Sequence, residues 1–98
     1  MLIAHVEFQI TPSDRDAALD VLLKETAVVR AMSGNLKFQA FKNPEHDDRI
    51  EIMHEWDSKE AFEAYLSSKS FASIGQILGP KMIAPPLSKR FLANPVAD

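Results

Sequence analysis

The stretch that decides the fold runs from residue 50 to residue 71 and reads Ile-Glu-Ile-Met-His-Glu-Trp-Asp-Ser-Lys-Glu-Ala-Phe-Glu-Ala-Tyr-Leu-Ser-Ser-Lys-Ser-Phe. Its first part, up to Trp56, alternates between apolar and polar residues, which predicts a strand with one buried face. Asp57 and Glu60 then form a D-x-x-E helix-start signal, and apolar residues recur at helical spacing through Tyr65. Because the chain's single Trp, its single Tyr and one of its three His meet at this junction, we expect a site there.

The rest of the chain supplies partners for this strand and helix. They are recognised in the same way, because apolar residues repeat every second residue in a strand and at helical spacing in a helix. In chain order the predicted elements are a strand over 2–10, a helix over 13–32 closed by Gly34, a strand through Leu36, Phe38 and Ala40, the strand over 50–56, a helix from Ser58 that pauses at Ser67–Ser68 and stops at Gly79–Pro80, a strand over 88–93 and a frayed tail over 94–98.

Strand-helix-strand therefore occurs twice in one domain over residues 1–98. This order predicts an α+β, ferredoxin-like split β-α-β sandwich, a four-stranded antiparallel sheet with two helices on one face. Apolar residues also occur away from the helix-packed side: Phe41 and Met53 on the strands, Val21 and Val28 on the first helix. A second subunit would cover such a sheet face, so we expect a homodimer. The predicted core stripe of the first helix is Ala18, Leu19, Leu22, Leu23, Thr26 and Val29.

Composition excludes several classes of function. The 98 residues carry a net charge of −3 without a basic stripe, which argues against nucleic acid as a partner. The absence of cysteine removes disulfides and thiolate chemistry. No apolar run approaches the ~20 residues of a membrane span, and the start of the chain lacks a signal sequence, so we expect a cytoplasmic protein without a membrane partner.

The histidines do not form a metal site in this reading. His5 shares its strand parity with Glu7 and Gln9, whereas His54 shares its parity with Ile50 and Ile52, so the two rings should point to opposite faces of the sheet. His46 lies in a polar turn. We therefore predict no metal ligands.

Five segments together carry a family pattern: Gly34-Asn35-Leu36-Lys37-Phe38, Asn43-Pro44-Glu45, His54-Glu55-Trp56, Ala61-Phe62-Glu63-Ala64-Tyr65 with Ser68-Lys69-Ser70-Phe71, and Gly79-Pro80 with Ala84-Pro85-Pro86. They resemble the antibiotic biosynthesis monooxygenase (ABM) domain, and the resemblance extends from Leu2 to about Leu92. The family is built of dimeric α+β barrels in which two ferredoxin-like sheets pack face to face. Its members include oxygenases that oxidise phenols or quinols with O₂ and no cofactor, sugar-signal isomerases, haem-degrading proteins and proteins without known activity.

The resemblance implies a cofactor-independent monooxygenase acting on a small quinol or phenolic molecule. In that reading His54 is the catalytic general base, Trp56 is an aromatic wall for the substrate and Tyr65 donates a hydrogen bond to it. The alternative for each is structural: a buried neutral histidine, a core tryptophan and a packed tyrosine. Two other functions stay open, a non-catalytic dimeric ligand-binding protein and an isomerase of a small hydroxycarbonyl compound. The further expected pocket residues are Ile52, Phe62 and Phe71.

The chain departs from the family pattern at informative positions. Where relatives often carry helix histidines, this chain has Tyr65 and Ser70, which weakens the isomerase reading. The position matching the iron-ligating histidine of haem-degrading relatives is Gly75, which argues against haem chemistry. The aromatic polyketide oxygenases have Asn and Tyr where this chain has Ile52 and Phe62, which weakens polyketide oxygenation but leaves His54 as a replacement polar group.

Overall fold

The computed structural model describes residues 1–97, and the part of the predicted frayed tail that falls on Asp98 lies outside them. Short 3₁₀ turns at Pro12–Asp14 and Gly79–Lys81 flank the regular elements. In chain order these elements are β1 (Leu2–Gln9), α1 (Arg15–Arg30), β2 (Asn35–Lys42), β3 (Arg49–Trp56), α2 (Lys59–Leu66), α3 (Lys69–Leu78) and β4 (Leu87–Leu92).

The four strands form one antiparallel sheet in the order β2-β3-β1-β4. β1 lies between β3 and β4, and its register with β3 runs from Leu2 opposite Trp56 to Gln9 opposite Arg49. This topology confirms the predicted ferredoxin-like α+β fold. The predicted second helix is two helices, α2 and α3, separated at Ser67–Ser68 as expected.

The core lies between the helices and the sheet face that β3 presents through its alternate residues. Ile50, Ile52, His54 and Trp56 are all buried, and the intervening residues are only partly buried. The alternation matches the period of two that places successive side chains on opposite faces of a sheet. The helices contribute Ala18, Leu22, Thr26, Val29, Phe62, Tyr65, Ile74 and Leu78 to the same core.

Two local signals determine where α2 begins and how β3 reaches it. Gly34 has φ of 83°, as the left-handed cap requires, and its carbonyl accepts a 2.8 Å hydrogen bond from the Asp57 amide. The side chain that caps α2 is Ser58, whose hydroxyl accepts from the Ala61 amide at 3.1 Å. The D-x-x-E prediction is thus corrected, because the cap is one residue later than Asp57.

For three apolar residues the environment predicted from the sequence is wrong. Leu36 is 56% exposed because the pairing of β2 with β3 is irregular between Asn35 and Lys37, so it does not continue the face of Phe38. Leu23 is 50% exposed, since α1 buries only the narrow stripe from Ala18 to Val29. Val21, in contrast, packs against the core.

The other sheet face carries His5, as the strand parity predicts, and Phe41 and Met53 share it by register. His5 Nε2 lies 2.9 Å from Glu51 Oε1 on this face, whereas His54 lies on the opposite face, which packs against the helices. Leu87 and Phe91 of β4 also lie on this face and are 60% and 53% exposed. No helix among residues 1–97 has the length and apolarity to cross a bilayer.

Candidate active site

Aromatic rings surround His54 on the helix side of the sheet. The ring centroids of Phe38, Phe62 and Tyr65 each lie 5.6 Å from that of His54. Strand alternation brings His54 and Trp56 to the same face, and the three-residue spacing of Phe62 and Tyr65 brings both to one side of α2. Trp56 and Tyr65 stack with centroids 5.2 Å apart. The sequence-predicted residues therefore do converge around one histidine.

A hydrogen bond determines the protonation of the His54 ring. Trp56 Nε1 donates to His54 Nδ1 at 2.9 Å. An indole N–H can only donate, so Nδ1 must offer its lone pair, and the proton of the neutral ring is on Nε2. His54 Nε2 has no hydrogen-bond partner among residues 1–97. The polar atom that His54 can offer to a ligand is thus an N–H donor.

Burial keeps His54 neutral. The ring is desolvated and Arg90 adds a nearby positive charge, and together they lower the pKa of His54 from 6.5 to about 4. At neutral pH the ring then has one proton, and Nδ1 is already occupied by Trp56. The general-base role predicted from the sequence requires a free lone pair facing the substrate, which this tautomer does not provide.

Tyr65 is the second donor of the site. Burial, assisted by the negative charge of Glu25, raises the pKa of Tyr65 to about 12, so its hydroxyl stays protonated. Glu25 is held in place by the buried Ser70, whose hydroxyl donates to Glu25 Oε2 at 2.8 Å. Ser70 therefore orients a carboxylate near the tyrosine.

A cavity of about 300 Å³ opens between the sheet and the helices. Apolar side chains form most of its wall, and the sequence-predicted residues Ile52, His54, Phe62, Tyr65 and Phe71 all line it. Trp56 does not line the cavity: it is fully buried behind His54. It therefore cannot be the stacking wall that the sequence suggested without a rearrangement, and its ring contacts are with His54, Phe62 and Tyr65.

Sequence reasoning missed two polar residues of this cavity, Ser88 and Arg90 of β4. Arg90 pairs with Ala4 in register and Ser88 with Val6, so both lie on the helix side of the sheet. Strand alternation could not have found them, because Leu87 and Phe91 share the other parity of β4 and would be taken as its buried face. Among the described residues no three His, Cys, Asp or Glu side chains are grouped as a metal site.

The fold and the cavity define a small ferredoxin-like α+β protein with an aromatic pocket between sheet and helices. The model of one family, described as antibiotic biosynthesis monooxygenase (ABM), matches residues 1–75, and the chain belongs to this family. No curated protein matches the chain.

Solved structures share the whole fold at low sequence identity. One described as an antibiotic biosynthesis monooxygenase is 16% identical, covers 97% of this chain and 100% of its own, and has a TM-score of 0.87. Rv0793 from Mycobacterium tuberculosis is 14% identical, with coverage of 99% and 98% and a TM-score of 0.88. A conserved protein from Methanosarcina mazei Go1 is 13% identical, with coverage of 93% and 91% and a TM-score of 0.85. At these identities the structures establish the fold alone.

Proposed function

We propose that this protein is a homodimeric monooxygenase that oxidises a small quinol or phenol with O₂ and without a cofactor. The observation that carries the proposal is the aromatic-walled cavity lined by His54 and Tyr65, each of which keeps one hydrogen-bond donor. Membership of the ABM family supports the same reaction class.

The donors fit a substrate that reacts as its anion. A phenolate oxygen is stabilised by donors fixed in a site of low polarity, because they need no reorganisation when charge develops. His54 Nε2–H and the protonated Tyr65 hydroxyl have this character. We therefore revise the role of His54 from general base to donor for the substrate oxygen, with the phenolic proton released to solvent on binding.

The anion itself is the reductant in this mechanism. An electron-rich phenolate passes one electron to O₂, which gives a phenoxyl radical and superoxide, and their combination forms a C–O bond to a ring carbon. The peroxide anion formed in this way takes up one proton from solvent, which balances the phenolic proton released on binding. Loss of water from the resulting hydroperoxide leaves a quinone. For a phenol with a free ring position, one O₂ is consumed, one of its oxygen atoms enters the quinone and the other leaves as water.

Trp56 is a positioning residue in this proposal. Its hydrogen bond holds the His54 ring with Nε2–H as the available group. The role differs from the aromatic wall expected from the sequence, and it explains why a tryptophan that does not line the cavity would still matter to the reaction.

The homodimer would cover the sheet face opposite the helices. That face carries the exposed Leu87 and Phe91 on one edge strand, Phe41 on the other and Met53 on β3, and it includes ion pairs such as Arg49 with Glu7. Apolar residues interspersed with satisfied charges are typical of a surface that packs against another copy.

Oxygen uptake by metal-stripped protein tests the reaction class. Wild type is given hydroquinones and one- or two-ring phenols, beside His54→Leu, which removes the donor, and His46→Gln, a matched histidine change in the exposed turn between β2 and β3. We expect uptake above autoxidation, a decrease of about 10²-fold or more in His54→Leu, and wild-type rates in His46→Gln. Anaerobic turnover would instead indicate an isomerase, and a raised melting temperature without turnover a binding protein; either result rejects the oxygenase.

A further inference from the structure

Arg90 occupies a distinctive place at the cavity. It comes from the edge strand β4, its guanidinium carbon lies 4.9 Å from the centroid of the Phe62 ring, and it lines the cavity beside His54 and Tyr65. It also lines a second, shallower cleft of about 330 Å³ between β4 and α2. Arg90 therefore stands between the interior cavity and the solvent-facing cleft.

The charge of Arg90 is not neutralised by the described protein. Among the side chains that line the cavity it is the only one with a formal charge at neutral pH. No carboxylate of residues 1–97 lies within 4.0 Å of it, and its one side-chain hydrogen bond runs from Nε to Ser88 Oγ at 3.4 Å. A guanidinium has five N–H donors in a planar fork, so both of its terminal nitrogens remain available for a ligand.

Packing over Phe62 orients this fork. A cation over an aromatic face is attracted to it, which restricts the long arginine side chain to the cavity rim. Arg90 and His54 line the same cavity, and the positive charge of Arg90 contributes to the lowered pKa of His54. A ligand whose anionic group is bound by Arg90 would thus place its ring in the cavity, towards His54 and Tyr65.

We infer that Arg90 binds a carboxylate on the substrate, so that the cavity selects aromatic acids with a phenol or quinol ring over their neutral counterparts. Arg binds a carboxylate through two parallel hydrogen bonds, which fixes both position and orientation. The cavity volume of about 300 Å³ is at the lower end of ligand pockets, which suits one or two fused rings rather than a larger polycycle. This inference rests on the proposed function, because it names the substrate class of the same site.

Anaerobic titration calorimetry separates recognition from turnover. The ligands are 1,4-dihydroxy-2-naphthoate and 1,4-dihydroxynaphthalene, which differ only in the carboxylate. The variants are Arg90→Gln and Arg90→Lys, with Lys89→Gln as the matched control, because Lys89 is the adjacent cation and pairs with His5 on the opposite sheet face. Circular dichroism and the melting temperature verify that each variant is folded.

We expect wild type and Lys89→Gln to bind the acid about 10- to 100-fold more tightly than the neutral quinol, as a charge-assisted bidentate pair implies. Arg90→Gln should lose this preference while its affinity for the neutral quinol stays within about 2-fold, and Arg90→Lys should retain part of it. Equal affinities in wild type, or an equal loss for both ligands in Arg90→Gln, would reject the carboxylate site.

The same titration distinguishes the two proposals. If wild type binds both ligands equally and consumes oxygen with either, the monooxygenase stands and the Arg90 inference alone fails. If wild type binds neither ligand, the cavity is not a site for quinols and both fail.

Discussion

Trp56 Nε1 donates a 2.9 Å hydrogen bond to Nδ1 of His54, and this contact determines which chemistry the cavity can offer. It places the proton of a buried histidine on Nε2 and leaves a donor where sequence reasoning expected a base. Two residues separated by one position on β3 therefore act as one unit, in which Trp56 is the support and His54 the group available to a substrate.

Replacing Trp56 by Phe should release this constraint. The buried Nδ1 loses its partner, so we expect a loss of about 1–3 kcal/mol in the free energy of unfolding and a mixture of His54 tautomers. Urea unfolding measures the first effect and ¹⁵N NMR of the imidazole the second. Phe38→Leu is the control, because Phe38 touches the same ring edge-on without bonding to it. A wild-type ring protonated at Nδ1 would disprove the donor assignment.

The low pKa of His54 should make stability depend on pH. The unfolded chain protonates this histidine below pH 6.5, whereas the folded protein does so only near its pKa of about 4. Between these values the unfolded state binds more protons, so stability is lost as the pH falls from 6.5 towards 4, by roughly 3 kcal/mol at full extent. Unfolding curves of wild type minus those of His54→Gln isolate this contribution. His46→Gln, a change in the exposed turn, should leave the wild-type dependence intact, and a flat difference curve would contradict the prediction.

The single tyrosine permits a direct titration of the donor. Absorbance of the phenolate should rise only near pH 12, because burial and Glu25 oppose ionisation of Tyr65. Glu25→Gln should lower this pKa, and Glu63→Gln on the exposed side of α2 should not. A wild-type midpoint near the ordinary value of 10 would show that the hydroxyl is more solvated than the structure indicates.

The role of the sheet face opposite the helices as a dimer interface can be tested through the oligomeric state. Met53→Glu places a charge in the middle of that face, and we expect it to convert a dimer into a monomer in light scattering after gel filtration. Leu23→Glu is the matched control, since Leu23 is 50% exposed on α1, away from the sheet face opposite the helices. A monomeric wild type, or a Met53→Glu variant that remains dimeric, would place the interface elsewhere or remove it.

Gly34 should tolerate no side chain. A Cβ there would lie 2.5 Å from Asp57 Oδ1 and 2.6 Å from the Ala61 Cβ, at a φ of +83°. We expect Gly34→Ala to lower the free energy of unfolding by about 2 kcal/mol or more. Gly75→Ala in α3 meets no atom within 4 Å, and should instead stabilise by about 0.5–1 kcal/mol. Urea unfolding of both variants decides the matter, and equal effects would refute the cap assignment.

Residues 50–71 show how far local sequence information reaches. The alternation from Ile50 to Trp56 and the helical spacing of Phe62 and Tyr65 predicted correctly that these side chains share one face. The predicted burial of Leu36 and Leu23 was wrong, for a reason that lies outside each segment. An irregular strand pairing and the width of a helix stripe depend on the partner element, which periodicity in one segment cannot report.

The candidate site likewise combines features that the sequence predicts with features that only packing decides. The sequence by itself determined the order of elements, the faces of the strands and the convergence of His54, Trp56 and Tyr65, because these follow from the fixed periods of strands and helices. Only the tertiary structure decided that Trp56 lies behind His54, that the histidine presents Nε2–H and that Arg90 of the last strand reaches the cavity. Hydrogen-bond direction, burial and contacts between distant segments arise from packing in three dimensions, and these are the properties that set the protonation and charge of a site.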